Sequence, residues 1–181
     1  MPELLERLIA DHRTTERLLD LIEHEIFAAS LDEPMDLDLI GEAMQYFRGY
    51  PDRVHHPLES ALYRRLARRR PDQIETLGDI LDEHDSLRAH VTRFGEAVDA
   101  VLAEAEIGRD EFLNRGKTFV ESYRRHLTKE EKRLFPAFTQ GLLAEDWTVS
   151  AREIAGADRV PDEEMAAFAT LQRRLLTEPV V

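Results

Sequence analysis

A histidine and glutamate pattern that occurs twice constrains this chain more than any other feature of its sequence. The unit is a histidine, an interval of 43 or 42 residues, and then His-x-x-x-Glu. The residues of the two copies are His12, His55, Glu59, His84, His126 and Glu130. Each copy falls in stretches with helical periodicity, and residues four apart on a helix share one face. The repeat therefore predicts two similar helical hairpins whose histidines and glutamates meet inside a bundle.

Hydrophobic residues at three- and four-residue spacing predict an all-α fold. The four long helices that this spacing predicts cover residues 2–29, 37–69, 73–106 and 110–141. Gly49, Pro51 and Pro57 lie inside the second of them and predict a kink there. Short connections between long helices make neighbours antiparallel, so we expect an up-down-up-down four-helix bundle.

The end of the chain is predicted to be a helical extension of the bundle. We place the bundle in residues 1–145 and the extension in residues 146–181. Thr148 or Ser150 could cap a first short helix, and Pro161 opens a second that ends near Thr177. We expect the extension to pack across the bundle or to form a homodimer contact.

Composition excludes several classes of function. The formal net charge of -13 disfavours nucleic acid and anionic membrane surfaces as partners, because both are polyanionic. The chain has no cysteine, which excludes disulfides, thiolate metal sites and thiol catalysis and fits a cytoplasmic protein. No apolar run approaches the roughly 20 residues that span a bilayer.

The positions of the repeated histidines and glutamates indicate a metal site. All of them interrupt otherwise apolar helix faces, and a buried carboxylate without compensation costs several kcal/mol, on the order of a strongly destabilising mutation. Two facing glutamates would repel, and a dication is the simplest compensation. The alternative is a buried network of His–Glu hydrogen bonds that stabilises the core. Imidazole and carboxylate without thiolate suit iron, manganese or zinc. The two glutamates could bridge two ions while two histidines cap each ion, with positions left open.

Three neighbouring residues leave alternatives for individual ligands. His56 is a rival to His55, although His55 reproduces the spacing of His126 and Glu130. Glu131 follows Glu130 directly and is also available. Glu16 lies four residues after His12 and is expected to be a satisfied or exposed acid rather than a ligand.

Two segments of the chain resemble a known family. Residues 50–63, YPDRVHHPLESALY, and residues 126–136, HLTKEEKRLFP, are similar to the second- and fourth-helix signatures of hemerythrin-like proteins, the cation-binding domains built on His, His and Glu. The resemblance covers residues 2 to about 145. It implies a four-helix bundle that holds two iron ions, bridged by oxo and carboxylate groups, with zinc or manganese as substitutes. It also implies a small diatomic or peroxide ligand: oxygen, nitric oxide or peroxide.

The chain departs from the oxygen-carrying members of that family at two positions. Arg88 stands four residues after His84, where the carriers have a fifth histidine, and Glu131 stands where they have an aspartate. The chain is more similar to a symmetric subgroup with four histidines and two glutamates, linked to nitric oxide, peroxide or iron repair. We therefore expect a more open iron and reactivity rather than reversible oxygen carriage. A metal-dependent sensing or adaptor bundle, iron storage or repair without turnover, and a metal-free or zinc-filled structural bundle are the alternatives.

Overall fold

The structure, a computed structural model, describes residues 2–78, 80–155 and 161–177, and within them every regular element is helical. The α-helices are α1 (Glu3–Ser30), α2 (Leu37–Tyr50), α3 (His56–Arg69), α4 (Pro71–Leu77), α5 (Glu83–Leu102), α6 (Arg109–Lys129), α7 (Phe135–Gly141), α8 (Ala144–Ala155) and α9 (Asp162–Thr177). Two π-helical turns, Pro51–His55 and Glu130–Leu134, join α2 to α3 and α6 to α7. The predicted all-α fold is confirmed.

Four helical rods pack side by side around a common core. The rod that begins with α1 contacts α2 and α6, and α5 contacts the same two helices from the other side. The α1 and α6 rods are antiparallel, because Arg109 bonds to Ala29 at one end while Arg124 bonds to Asp20 nearer the middle. Arg115 of α6 donates a hydrogen bond to the Arg93 carbonyl of α5, which links these two neighbouring helices. The up-down-up-down bundle predicted from the sequence is the observed architecture.

Each π-helical turn stands immediately before a proline-containing turn. Pro57 and Pro136 are the second residues of α3 and α7. A proline lacks the N–H of a regular helix and its ring crowds the carbonyl four residues earlier, so the preceding turn widens. The kink predicted in the second helix is therefore a π-helical turn, whereas the equivalent turn in the fourth helix was not predicted.

The prediction of one continuous third helix over residues 73–106 was wrong. The chain instead forms the short helix α4 (Pro71–Leu77), breaks, and starts α5 at Glu83. Gly78 has φ 67° and ψ -142°, a conformation that residues with a Cβ rarely adopt and that ends a helix. Within the break, Ile80 is buried in the core, whereas Leu81 is only partly buried.

The two C-terminal helices pack on the bundle. α8 begins at Ala144, earlier than either cap predicted at Thr148 or Ser150. The Asp146 carboxylate accepts a hydrogen bond from the Leu143 N–H at 2.8 Å, which satisfies the start of α8. α8 lies along α3, and α9 contacts α1 and α2. The second of these helices starts after Pro161 and ends at Thr177, as expected.

The core consists of two apolar clusters with a polar layer between them. The larger cluster contains Leu19, Phe47, Phe94 and Phe119, and the smaller contains Leu8, Leu62, Leu134 and Phe138, among others. In α1 the smaller cluster ends at Leu8 and the larger begins at Leu18, and His12 lies between them. None of the helices in the described part of the chain is long and apolar enough to cross a membrane.

Candidate metal centre

The polar layer contains all six residues that the repeat singled out. Each is buried, and they come from α1, from the rod of α2 and α3, from α5, and from the rod of α6 and α7. The side chains of Glu59 and Glu130 are fully inaccessible to solvent. The structure therefore brings together residues separated by up to 118 positions, since His12 Nε2 lies 3.1 Å from a carboxylate oxygen of Glu130.

The inward-facing atoms of this layer have no hydrogen-bond partner among the described residues. They are the Nε2 atoms of His12, His55, His84 and His126 and both carboxylate oxygens of Glu59 and Glu130. Several of them are close together: His126 Nε2 is 2.8 Å from Glu130 Oε1, and His84 Nε2 is 3.2 Å from Glu59 Oε2. These approaches do not have hydrogen-bond geometry. So many unsatisfied buried polar atoms in one place need an explanation, and a bound cation provides one.

Overlapping groups of these side chains have the spacing of metal ligands. One group is His12, His55 and Glu130, and another is Glu59, His84 and Glu130. In each group one ligand atom per residue lies within 4.8 Å of the others. Glu130 belongs to both groups, so its two oxygens could serve two ions at once.

The outer nitrogens of three histidines in the layer face carboxylates. His12 Nδ1 lies 3.0 Å from Glu131, His55 Nδ1 3.3 Å from Asp11, and His126 Nδ1 3.0 Å from Glu83. A carboxylate on the outer nitrogen fixes the ring orientation and the tautomer, leaves the inner nitrogen free to bind, and is the usual arrangement around metal-binding histidines.

Sequence reasoning missed these outer carboxylates, although the repeat contained a signal for two of them. Asp11 precedes His12 and Glu83 precedes His84, at the same place in each copy. Each acid serves the histidine of the following rod and not its neighbour in sequence. Adjacent residues on a helix point in different directions, so the acid and the histidine beside it can serve two different sites.

The two buried glutamates differ in charge when no metal is bound. Burial, together with the nearby carboxylate of Glu130, raises the pKa of Glu59 to about 8. Burial also acts on Glu130, but contacts with His12, His126 and His84 outweigh it and hold the pKa of Glu130 well below its ordinary value. At neutral pH the pair therefore carries one negative charge, which relieves the repulsion between two carboxylates.

Two histidines of the layer are shifted in opposite directions. Burial lowers the pKa of His84, but Glu130 and Glu59 more than offset this effect and bring it to about 9. Burial lowers the pKa of His56 to about 4, with Asp52 opposing the change. His56 is therefore neutral at physiological pH and retains a free lone pair on one nitrogen.

The structure places the alternative ligands at different depths. His56 is buried and faces the layer alongside His55, so the two are not mutually exclusive. Glu131 is half exposed and contacts only the outer nitrogen of His12, whereas Glu130 lies inside. Glu16 is directed to Arg124, at 3.4 Å, and belongs to none of the candidate ligand groups.

A solvent-open cleft of about 530 Å³ lies against one side of the layer. Its lining includes His56, His84, Ser60 and Arg88. The layer is thus closed by apolar clusters above and below but is approached from solvent between α3 and α5.

Comparison with known proteins gives a family for the whole bundle. The family model of the hemerythrin HHE cation-binding domain matches residues 3–138. Neither the curated proteins nor the solved structures contain a match to the chain. The matched range runs from the start of α1 into α7 and includes every residue of the polar layer. The chain is therefore a member of the hemerythrin HHE cation-binding domain family.

Proposed function

We propose that the chain holds two iron ions in its polar layer and that it binds or reacts with a small oxidant such as oxygen, nitric oxide or peroxide. The observation that supports this most strongly is the convergence of four unsatisfied Nε2 atoms and four unsatisfied carboxylate oxygens in a buried layer. A buried network of hydrogen bonds would use these atoms on one another, and their geometry does not do so. Imidazole and carboxylate donors without thiolate suit iron, with zinc and manganese as substitutes.

Each residue has a distinct role in this proposal. His12 and His55 hold one ion, and His84 and His126 hold the other. Glu130 would contribute to both ions, because it is shared by both candidate ligand groups, and Glu59 would be the second carboxylate ligand. When bound, the ions supply Lewis-acid and redox chemistry to the oxidant.

The surrounding residues prepare the site for that ligand. Asp11, Glu83 and Glu131 engage the outer nitrogens of His55, His126 and His12 and so orient the inner nitrogens toward the layer. The apolar clusters on both sides exclude water from the layer, which strengthens electrostatic interactions inside it.

Anaerobic reconstitution with ferrous iron tests the proposal. The wild-type chain should bind close to two irons, and air exposure should produce near-ultraviolet absorption from an oxo-bridged pair. Glu130→Ala should lose both ions because its carboxylate serves both positions, whereas His55→Ala should weaken one position more than the other. His24→Ala, an exposed histidine of α1, is the matched control and should retain two irons.

The same iron measurement can contradict the proposal. Iron stoichiometry near zero in the wild type, or a stoichiometry that Glu130→Ala leaves unchanged, would exclude this layer as the site.

A second candidate is a sensing or adaptor function in which the metal state controls the position of α9. Phe168 of α9 packs edge-on against Tyr50 at 6.0 Å, and the Tyr50 hydroxyl donates to Asp11 at 2.8 Å. Asp11 also holds the outer nitrogen of His55, and Glu164 of α9 bonds to Arg53 in the adjoining π-helical turn. A displacement of the His55 side chain would therefore reach α9 through Asp11 and Tyr50. If this function operates, iron loading should change the protease sensitivity of α9 in the wild type but not in a Tyr50→Phe variant.

A further inference from the structure

His56 lies in the polar layer beside two of the histidines assigned to the metal ions. It is buried, and one ring nitrogen lies within 4.8 Å of ligand atoms of both His84 and His126. Its ring stacks on that of His84 with centroids 3.8 Å apart and planes 13° from parallel. The Nε2 atoms of those two neighbours are among the unsatisfied atoms of the layer. His56 therefore belongs to the set of side chains that surround one of the two ion positions.

The outer nitrogen of His56 faces a carboxylate, as those of His12, His55 and His126 do. Its Nδ1 lies 2.8 Å from Asp52, which leaves Nε2 as the nitrogen available to a metal. Asp52 is itself fixed by Arg88, whose guanidinium donates to the same oxygen at 3.1 Å. A carboxylate held in place behind a histidine is the usual arrangement around metal-binding imidazoles.

The helical geometry explains how two adjacent histidines can both face the layer. His55 ends the π-helical turn and His56 begins α3, with the His56 N–H bonded to the Pro51 carbonyl five residues earlier. A turn closed by such a bond holds more residues than an α-helical turn, so neighbouring side chains are separated by a smaller rotation about the axis. Pro57 is the local cause of this wide turn.

Arg88 connects this arrangement to the departure noted in the sequence. It stands four residues after His84, where the oxygen carriers have a fifth histidine, and its side chain is half exposed. Through Asp52 it supports His56 on the neighbouring rod.

We propose that His56 is a fifth nitrogen ligand, which completes three histidines around the ion held by His84 and His126 and leaves two around the other. This rests on the proposed two-metal function. It replaces the symmetric arrangement expected from the sequence with an unequal one, in which the ion beside His56 has three histidines and the other ion has two.

Metal affinity measured on the apo-protein tests this assignment without any assay of activity. Cobalt(II), titrated in competition with a chelator, should bind the wild type in two steps. His56→Ala and His56→Phe should weaken one step by more than about 100-fold, the upper end of what changes outside the ligand set cost, and leave the other within about tenfold. Phenylalanine keeps an aromatic ring against His84 but removes the nitrogen, so it separates ligation from packing.

Two further variants make the experiment specific. Asp52→Asn keeps the His56 nitrogen but weakens its support, and should weaken the same step by roughly 10–100-fold. His24→Ala should leave both steps unchanged. Circular dichroism of each apo variant establishes that it is folded before the titration is interpreted.

The results separate the two levels of the proposal. If the wild type binds two cobalt ions and both His56 variants match it in both steps, or weaken both steps equally, the assignment of His56 is wrong while the two-metal site stands. If the wild type itself fails to bind two ions, the proposed function fails first.

Discussion

At the scale of single residues, three histidines of the polar layer have an inner and an outer nitrogen with different surroundings. The inner nitrogens of His12, His55 and His126 are unsatisfied, while the outer ones contact carboxylates. The inner set could be predicted from the sequence, because histidines and glutamates that interrupt apolar faces at a repeated spacing are readily recognised. The outer set could not, since it depends on which rods are neighbours in space.

The outer carboxylates should control metal affinity one side at a time. Asp11→Asn should weaken the ion held by His55, and Glu83→Gln the ion held by His126, each by roughly 10–100-fold. Stepwise titration with chelator competition measures both. Asp20→Asn is the control, because Asp20 pairs with the surface residue Arg124. Equal effects of all three variants would show that the outer contacts have no special role.

Glu59 should reduce the stability of the metal-free protein. Its carboxylate is fully buried without a hydrogen bond, and replacing such a group with an apolar side chain of similar size often stabilises a fold. Glu59→Met should therefore stabilise the apo-protein by about 1–4 kcal/mol at pH 8–9, where Glu59 begins to ionise. The same variant should lose metal binding. Urea denaturation measures the first effect, with Glu96→Gln, at an exposed position of α5, as a near-neutral control.

The shifted pKa values make the stability of the apo-protein depend on pH. Glu59 has its pKa raised from 4.5 to about 8, and His84 has its pKa raised from 6.5 to about 9. The folded state binds more protons than the unfolded state in this range, so stability falls as pH rises: the cost of burying ionised Glu59 grows, and the stabilising contacts of protonated His84 are lost. The Tm of the apo-protein should fall between pH 6.5 and pH 9.

Metal should reverse that trend. Ligation requires deprotonated side chains, so binding releases protons from Glu59 and His84 and becomes stronger as pH rises. The increase in Tm on adding zinc should therefore be larger at pH 8 than at pH 6.5. A Tm of the apo-protein that stays level over this range would contradict the protonation states assigned to the pair.

At the scale of elements, local backbone features adjust helices that periodicity alone makes continuous. One π-helical turn ends at His55 and the other begins at Glu130. Such turns are frequent at functional sites. Gly78 separates α4 from α5. The sequence predicted the number, order and pairing of the rods, because hydrophobic spacing and short connections determine them. It located the first π-helical turn through Gly49, Pro51 and Pro57, but not the second turn or the break at Gly78, since these depend on a competition between backbone strain and packing on both sides.

Among the glycines that the structure describes, Gly78 should be the one at which the backbone tolerates an added methyl group least. Gly78→Ala should destabilise the fold by about 1–3 kcal/mol, because the backbone conformation there is strained for a residue with a Cβ. A Cβ at Gly78 would meet no other atom, so the effect would come from the backbone alone. Gly41→Ala is the matched control: it lies inside α2 with an ordinary contact to Leu102, and should stabilise by about 0.5–1 kcal/mol. Equal effects of the two substitutions on the midpoint of thermal unfolding would contradict this reading.

At the scale of the whole molecule, a polar layer divides the apolar core and is supplied by all four rods. Such a layer weakens a bundle unless something satisfies it, because each unpaired buried polar group costs free energy. The apolar clusters on either side provide the stability that allows the layer to remain unsatisfied in the apo-protein. The family match covers this whole assembly, from α1 into α7.

Anomalous diffraction at the iron absorption edge, from crystals grown with ferrous iron, tests the central claim most directly. The account predicts two anomalous peaks inside the layer, both within bonding distance of Glu130 and each bonded to Nε2 atoms from two rods. The absence of peaks there, with the same side chains bonded to ordered water or directed away from one another, would contradict it.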